Sequence, residues 1–298
     1  MDFKSGFISV VGRPNVGKST LINKISEEKI SIISNKPQTT RNVIKAIVTG
    51  SNYQMIFLDT PGIVMKPKNK LGEYMIKVAT ETLEEVDIVL FMAEATGGGP
   101  GKGDLEILKQ LNKVSSPVFL LINKIDLIPK EQVLSLIAEY SQYMDFDCVV
   151  PISALNGDGI DILMENIKSG LPVGPEYFPG DMITDLPEKV IVAEMIREKM
   201  LLLLKDEVPH GIGVEILSFK ERKERNIIDI EANIYCERDS HKGIIIGKNG
   251  KMLKQIGSMA REEIEKFLGI KVYMQLWVKV KKDWRNSQHM LNNLGYKC

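Results

Sequence analysis

A glycine-rich loop near the start of the chain has the composition of a phosphate-binding site. Residues 12–19 read G-R-P-N-V-G-K-S, the spacing G-x-x-x-x-G-K-[ST], between an apolar run and a helical pattern. Its glycines let backbone N–H groups curl around a β-phosphate, and the helix N-terminus adds the positive end of its dipole. We expect an exposed Lys18 that bridges the β- and γ-phosphates and a Ser19 hydroxyl that binds Mg²⁺. The predicted nucleotide contacts are Gly12, Arg13, Pro14, Asn15, Val16, Gly17, Lys18, Ser19 and Thr20.

A second polar motif follows the strand pattern at residues 53–58. Ligands of open α/β sheets bind at the carboxyl ends of the strands, so Asp59 can hold Mg²⁺ through water and the Gly62 N–H can meet a γ-phosphate. Alone, the motif is a common turn, but after a phosphate-binding loop it indicates a nucleotide-dependent switch. The candidate residues are Asp59, Thr60, Pro61 and Gly62.

A third motif, Asn-Lys-Ile-Asp, ends the strand pattern at residues 118–122 and can recognise a base. A carboxylate accepts both N1–H and N2–H₂ of guanine, a donor pair that adenine lacks, so Asp126 favours a guanine nucleotide and disfavours an ATPase. The residues after the next strand can offer a backbone N–H to guanine O6. The predicted base-binding residues are Asn123, Lys124, Asp126, Ser153, Ala154 and Leu155.

These motifs need a scaffold, and the alternation of apolar patterns supplies one. Strand patterns lie at residues 7–11, 55–58, 88–92, 118–122 and 149–152, and helical patterns at 18–26, 71–83, 104–111, 132–143 and 160–167. This order predicts a doubly wound α/β P-loop domain with a mainly parallel sheet. A further run at 43–49 lies one tight turn before 53–58, so we expect an antiparallel pair and hence a mixed sheet.

The pattern changes after residue 170. Residues 171–180 hold three prolines and two glycines, which predicts a linker at 171–186 between a nucleotide-binding domain at 1–170 and a second domain at 187–298. The second domain shows a helical pattern at 189–204, strands at 213–219 and 227–235, a glycine-rich turn, a helix at 251–267 and a strand at 272–280. It is expected to be a smaller α+β domain.

A G-x-x-G turn in the second domain lies between an apolar segment and an amphipathic helix. It resembles the loop with which KH domains clamp about four single-stranded nucleotides, and the order of elements suggests the type II form. Between Ser240 and Ala260 the chain has four lysines and no acidic residue. A solvated helix face or a lipid-binding helix are the alternative interpretations. The predicted RNA contacts are Lys242, Gly247, Lys248, Asn249, Gly250, Lys251 and Lys254.

The motifs of the first domain resemble the G1, G3, G4 and G5 boxes of Ras-like GTPases. Residues 37–41, Pro-Gln-Thr-Thr-Arg, resemble the Thr-Thr-Arg of the translation-associated bacterial GTPases. The resemblance implies that Thr40, or else Thr39, binds Mg²⁺ and the γ-phosphate. The residues it implies for catalysis are Lys18, Thr40, Gly62 and Asn15, and those for the metal are Ser19, Thr40 and Asp59.

One departure from Ras predicts slow intrinsic hydrolysis of GTP to GDP and phosphate. Ile63 stands where Ras places the glutamine that orients the attacking water, and an isoleucine cannot hold a water. Asn15 matches an asparagine that helps some relatives hold K⁺. Arg13 and Arg41 are the alternative sources of positive charge.

Both halves together, with residues 176–179 and 194–199, resemble a family of bacterial GTPases that bind small-subunit ribosomal RNA near its 3′ end during ribosome assembly. The resemblance covers nearly the whole chain and implies that the GTP-bound form docks RNA and that hydrolysis resets it. The alternative is a membrane-associated signalling GTPase whose C-terminal domain binds protein or lipid. The expected ligands are GTP or GDP, Mg²⁺ and K⁺.

Composition bounds the remaining possibilities. The chain has 39 basic and 39 acidic residues, and three cysteines without a C-x-x-C pair. This argues against a disulfide scaffold and a structural zinc site. No apolar stretch approaches the roughly 18 residues of a membrane span. We expect a cytoplasmic monomer, with peripheral association at the inner face of the cell membrane.

Overall fold

The structure, a computed structural model, describes residues 2–34, 36, 39–62, 67–83 and 85–296. The chain divides into two units. The first comprises Met1–Ser31, Thr40–Lys66 and Met75–Asp185, and the second comprises Ile32–Thr39, Pro67–Tyr74 and Leu186–Cys298. Two short segments from the predicted first domain therefore belong to the second unit.

The elements up to residue 170 alternate between strands and helices. They are β1 (Lys4–Val11), α1 (Lys18–Ser26), β2 (Ile44–Gly50), β3 (Tyr53–Asp59), α2 (Lys70–Glu81), β4 (Ile88–Glu94), α3 (Lys102–Leu111), β5 (Val118–Asn123), α4 (Lys130–Tyr140), β6 (Cys148–Ile152) and α5 (Ile160–Gly170). The strands form one sheet in the order β2-β3-β1-β4-β5-β6. All neighbouring pairs are parallel except β2 and β3, which confirms the predicted mixed sheet.

The register of this sheet brings the three nucleotide motifs together at the carboxyl ends of its parallel strands. Val10 of β1 pairs with Asp59 of β3, and Asn123 of β5 pairs with Ile152 of β6. The central strand β4 is buried on both faces, as expected of a parallel strand covered by helices. The carboxyl ends of β1, β3, β5 and β6 therefore present their following loops side by side.

The segment predicted as a linker, residues 171–186, differs from that prediction, because all but its last residue belongs to the first unit. The Gly174 N–H donates to the Phe3 carbonyl at 3.1 Å, and the Gln54 side-chain oxygen accepts the N–H groups of Tyr177 and Phe178 at 2.8 and 3.0 Å. Prolines and glycines exclude helix here, but an extended segment can still satisfy its backbone against a neighbouring strand.

The second unit is an α+β domain, as predicted. Its elements after residue 186 are α6 (Glu188–Leu203), β7 (Gly213–Arg222), β8 (Ile227–Cys236), α7 (Asp239–Ile246), α8 (Lys251–Leu268), β9 (Lys271–Val280) and α9 (Gln288–Asn293). The sheet order is β7-β8-β9, with β8 antiparallel to β7 and parallel to β9. Apolar side chains from α6, α7 and α8 share one core with the sheet. Among the described residues, no helix has the length and apolar character needed to cross a membrane.

Helix α7 lies where the sequence interpretation gave only an apolar segment before the G-x-x-G turn, so this helix was missed. Three consecutive isoleucines, residues 244–246, favour a strand locally. Packing overrides that preference, because Ile245 is fully buried in the core while Ile244 is 48% exposed.

Helix α6 binds Ile33 and Thr39, which belong to the second unit. A carboxylate oxygen of Glu198 accepts the Ile33 N–H at 2.8 Å, and the Arg197 guanidinium donates to the Thr39 carbonyl. Arg197 and Glu198 are almost completely buried, so their charges need partners. The next residue, Thr40, belongs to the first unit. One peptide bond therefore joins a residue held by α6 to the predicted metal ligand.

Candidate functional site

The phosphate-binding loop lies between β1 and α1 and encloses its lysine. The Lys18 ammonium donates to the carbonyl oxygens of Gly12 and Arg13, both at 3.0 Å. The side chain is buried, so the expectation that it is exposed is wrong. Burial lowers the pKa of Lys18 to about 8, and the Asp59 carboxylate opposes that change. The loop thus keeps an ammonium group where phosphate oxygens are predicted to bind.

Asn123 ties the loop to both base-recognition motifs. Its side-chain NH₂ donates to the Val16 carbonyl at 2.7 Å, and its side-chain oxygen accepts the Ala154 N–H at 2.9 Å. Gly17 has φ +110°, and a Cβ there would lie 2.2 Å from the Asn123 amide nitrogen. A side chain at position 17 would therefore be strained and would also displace Asn123.

The three residues predicted to bind the metal bring their side-chain oxygens together beside the loop. The Ser19 hydroxyl donates to Asp59 Oδ2 at 2.8 Å and lies 3.1 Å from the Thr40 hydroxyl. The other carboxylate oxygen, Asp59 Oδ1, is buried and has no hydrogen-bond partner in the described chain. Desolvation raises the pKa of Asp59, while the Lys18 charge lowers it. Mg²⁺ prefers oxygen ligands, so the two hydroxyl groups and the Asp59 carboxylate, with its unsatisfied oxygen, fit this ion.

The structure distinguishes the two adjacent threonines. The Thr40 hydroxyl lies 3.5 Å from Asp59 Oδ2, whereas the Thr39 hydroxyl donates to the Lys36 carbonyl at 2.6 Å. Thr40 is therefore the threonine whose hydroxyl the fold places beside Ser19 and Asp59. Pro37 and Gln38 of the same motif lie outside the described residues.

The motif after β3 places its glycine against the loop. The Thr60 hydroxyl donates to the Val10 carbonyl at 2.8 Å, which anchors the motif to β1. A Cβ at Gly62 would lie 3.1 Å from Pro14, so the backbone here passes close to the loop. Ile63, on which the slow-hydrolysis prediction depends, lies outside the described residues.

The Arg13 guanidinium is held by carboxylates. It donates to the fully buried Asp104 at 2.9 Å and lies 3.5 Å from Glu94, which also pairs with Lys124 at 2.6 Å. A role for Arg13 at the phosphates would require these ion pairs to break. Sequence reasoning missed both carboxylates, although Glu94 ends β4 at the same sheet edge as the motifs.

The base-recognition residues lie next to each other but differ in burial. Asp126 is exposed on a short 3₁₀ turn, Ile125–Leu127. The Ser153 N–H donates to the Asp158 carbonyl at 3.0 Å, and the Ala154 N–H is bound by Asn123. Of the three backbone N–H groups predicted to face guanine O6, those of Ser153 and Ala154 are thus already hydrogen-bonded within the chain.

In the second unit, the G-x-x-G turn connects α7 directly to α8. Gly247 has φ +71°, and a Cβ there would lie 2.7 Å from the Met252 Cβ. Lys248 and Asn249 are exposed at the tip of the turn. Along the same path, Lys251 and Lys254 are exposed and Lys242 is half-buried. The turn thus presents backbone and positive charge together.

A groove of about 450 Å³ begins at this turn and runs between α8 and β9. Its lining includes Gly250, Lys254, Gly257 and Arg261 of α8 and Tyr273 and Leu276 of β9. Sequence reasoning missed Arg261 and Tyr273. The signal for Arg261 was its spacing of seven residues from Lys254, which places both on one helix face.

Comparison with known proteins identifies both units. Residues 7–124 match the family described as 50S ribosome-binding GTPases, and residues 207–285 match the KH domain family. GTPase Era of Ruminiclostridium cellulolyticum is 59% identical over 297 residues, which cover 100% of this chain and 99% of that protein. The chain belongs to the Era family of GTPases.

Another Era protein, that of Alkaliphilus metalliredigens, is 54% identical over 296 residues, covering 99% of this chain and 100% of that protein. Two solved Era structures match with TM-scores of 0.96 and 0.95, at 44% and 43% identity, each covering 99% of this chain and 100% of the other. The first is Era in complex with MgGDPNP and nucleotides 1506–1542 of 16S ribosomal RNA. The second is an Aquifex aeolicus Era variant bound to GDP·AlF4⁻.

Membership of the Era family confirms several predictions. The chain is a GTPase with a mixed, mainly parallel P-loop domain followed by a KH domain. The individual contacts to nucleotide and RNA remain predictions, although the fold gathers the nucleotide motifs at one sheet edge and the predicted RNA residues around one turn. The alternative of a C-terminal domain that binds lipid or protein is disfavoured by the KH match.

Proposed function

We propose that this Era-family GTPase binds small-subunit ribosomal RNA near its 3′ end and acts in assembly of the small ribosomal subunit. The observation that carries the proposal is the exposed G-x-x-G turn that opens onto the groove between α8 and β9. Such a groove admits a single strand of RNA, and its Lys254 and Arg261 match phosphate charge. The Era relative bound to nucleotides 1506–1542 of 16S ribosomal RNA supports this RNA as the ligand.

In the first unit, this chain's residues would position GTP for hydrolysis. Ser19 and Thr40 would bind Mg²⁺ directly and Asp59 would bind it through water, and the ion would neutralise charge that develops on the phosphates. Lys18 would contact the β- and γ-phosphates, and the Gly62 N–H would contact the γ-phosphate. A relative crystallised with MgGDPNP supports the metal.

The contacts of Ile33 and Thr39 with α6 support a link between nucleotide binding and RNA binding. Arg197 and Glu198 of the KH unit make these contacts, and Thr39 directly precedes Thr40. A movement of Thr40 on GTP hydrolysis would therefore displace Thr39, whose carbonyl is hydrogen-bonded to Arg197 of α6. We therefore expect filter binding to show tighter binding of a short single-stranded RNA with a non-hydrolysable GTP analogue than with GDP. If the protein binds no RNA with either nucleotide, the proposal is wrong, and the alternative that the C-terminal domain binds protein or lipid is favoured.

Replacing both Lys248 and Asn249 with aspartate should lower RNA affinity at least tenfold. Both glycines remain, so the turn is kept, but two negative charges now stand where an RNA phosphate must bind. Fewer counterions are released on binding, so the dependence of affinity on salt should become shallower. Fluorescence anisotropy of labelled RNA at several salt concentrations measures both effects.

The control for charge is the double substitution Lys205→Asp with Asn292→Asp, which makes the same change at two other exposed positions of the KH unit. It should retain RNA affinity, and both double variants should retain GTP affinity. If the turn variant binds RNA with the parental affinity and salt slope, the clamp is assigned wrongly.

We propose that Asn15 helps to bind a monovalent cation, K⁺. Asn15 is exposed on the phosphate-binding loop with φ +67°, and a bound K⁺ at that position would offset charge between the β- and γ-phosphates. Hydrolysis should therefore accelerate when K⁺ replaces Na⁺ at constant ionic strength, and Asn15→Ala should remove the difference. Equal rates of the parent protein in the two salts would contradict the proposal.

Location and assembly state form the last part of the proposal. We infer a cytoplasmic monomer that associates peripherally with the inner face of the cell membrane. Analytical ultracentrifugation tests the monomer, and flotation with vesicles of bacterial lipids tests the association.

A further inference from the structure

The outer face of the KH sheet carries two exposed aromatic side chains on its edge strand. Tyr273 and Trp277 of β9 are 51% and 41% exposed. Their alternating neighbours Val272 and Val278 are buried in the core that the sheet shares with the helices. Because successive side chains point to opposite faces of a strand, the two aromatic rings share the face turned away from the helices.

Trp277 is unusual because nothing in its burial explains an indole ring at this position. The other tryptophan of the chain, Trp284, is fully buried, and its ring N–H donates to the Gly211 carbonyl at 2.9 Å. In domains that bind single-stranded nucleic acid, exposed aromatic side chains on a sheet serve as stacking platforms for unpaired bases.

The face around Trp277 continues from the groove. Tyr273 lines the groove and also lies on the outer face. An RNA chain that leaves the groove past Tyr273 and follows β9 would therefore reach Trp277 as the next aromatic ring on that face. The two rings are roughly 13 Å apart along the strand, at about 3.3 Å per residue, so they would take different bases. Gln275 lies between them and donates to the Tyr273 hydroxyl at 3.0 Å, which restrains that ring. The Arg222 guanidinium lies 5.7 Å from the centroid of the Tyr273 ring, so a base would stack on the opposite face of that ring.

Charge favours RNA along β9. Beyond Trp277, three exposed lysines, Lys279, Lys281 and Lys282, precede the next acidic residue. Acidic groups on this face lie on the other two strands. Asp229 is paired with Arg222 at 2.5 Å, Glu215 accepts a hydrogen bond from the Tyr235 hydroxyl at 2.6 Å, and Glu231 lies opposite Gln275. Lysine is depleted from the centres of protein interfaces, so the three lysines that follow Trp277 favour RNA over a protein partner.

We propose that Trp277, together with Tyr273, forms a second base-stacking surface that extends the RNA path from the groove onto the outer face of the KH sheet. The ligand is single-stranded RNA longer than the four or so nucleotides that the clamp itself accommodates. The inference rests on the proposed RNA-binding function, because the path begins in the groove.

The test compares a four-nucleotide RNA with one of about twelve nucleotides from the 3′ end of 16S ribosomal RNA, using the full chain. We expect Trp277→Ala to weaken binding of the longer RNA about tenfold and to leave the shorter one unchanged, since stacking of one base contributes that order of affinity. Trp277→Phe should retain most of the affinity. In the parent protein, the longer RNA should quench tryptophan emission, because Trp284 is buried.

Two controls separate the possible failures. Leu217→Ala removes another exposed apolar side chain of the same sheet and should change neither affinity. Should Trp277→Ala unfold, Trp277→Gln replaces it, with circular dichroism to verify the fold. Unchanged binding of the longer RNA, or an equal loss with both RNAs, overturns the stacking surface and would point to a protein partner for this face. If the parent protein binds neither RNA, it is the proposed RNA-binding function that fails.

Discussion

Alanine at position 18 should abolish GTP hydrolysis, with a loss of about a thousandfold or more in rate. The Lys18 ammonium is held inside the phosphate-binding loop by two carbonyl oxygens, so its charge is placed before the nucleotide arrives. A preorganised charge in a buried site contributes far more than the same charge in water. Release of phosphate from GTP, measured under single-turnover conditions, gives the rate.

The fold should survive this substitution even though the lysine is buried. Burial lowers the pKa of Lys18 to about 8 from 10.5, so keeping the ammonium charged there costs on the order of 3 kcal/mol. Removing it relieves that cost, but it loses two hydrogen bonds and the positive charge that stabilises the buried Asp59 carboxylate, so the effects oppose each other. Thermal unfolding should therefore change little.

The matched control is Lys24→Ala, which removes an exposed lysine from the same helix α1. Its hydrolysis rate should equal that of the parent. A folded Lys18→Ala protein with the parental rate would show that the loop is not the site of the reaction.

Asparagine at position 126 should change the preferred nucleotide from GTP to xanthosine triphosphate. Asp126 is expected to accept two hydrogen bonds from guanine, each assisted by charge and worth about 1.5–3 kcal/mol. Loss of these two hydrogen bonds should lower the affinity for GTP by about a hundredfold or more. Xanthine carries a carbonyl in place of the guanine amino group, so the new amide can donate to it.

Competition binding with a fluorescent nucleotide measures both affinities. Asp126 is exposed, so the substitution should not affect folding. Asp161→Asn, at an exposed position of helix α5, controls for the loss of one negative charge and should keep the parental preference. Equal GTP affinities of the Asp126→Asn protein and its parent would exclude this residue from base recognition.

Short contiguous motifs were readable from the sequence because their chemistry is local. Residues 12–19 specify a loop whose backbone geometry depends on glycines within the motif itself, and the alternation of strand and helix patterns placed the other motifs at one sheet edge. The G-x-x-G turn was readable for the same reason. Each motif needs few residues and few distant contacts.

Tertiary structure decided what depends on contacts between distant residues. Thr40 and Thr39 are equivalent in sequence, and only the packing of β3 and α1 brings the Thr40 hydroxyl to Asp59 and Ser19. Arg197 contacts the Thr39 carbonyl across a separation of 158 residues. Such contacts form because burial requires every charged or polar group to find a partner, wherever in the chain that partner lies. The isoleucines of α7 make the same point, because the core of the second unit, and not their strand preference, set their helical conformation.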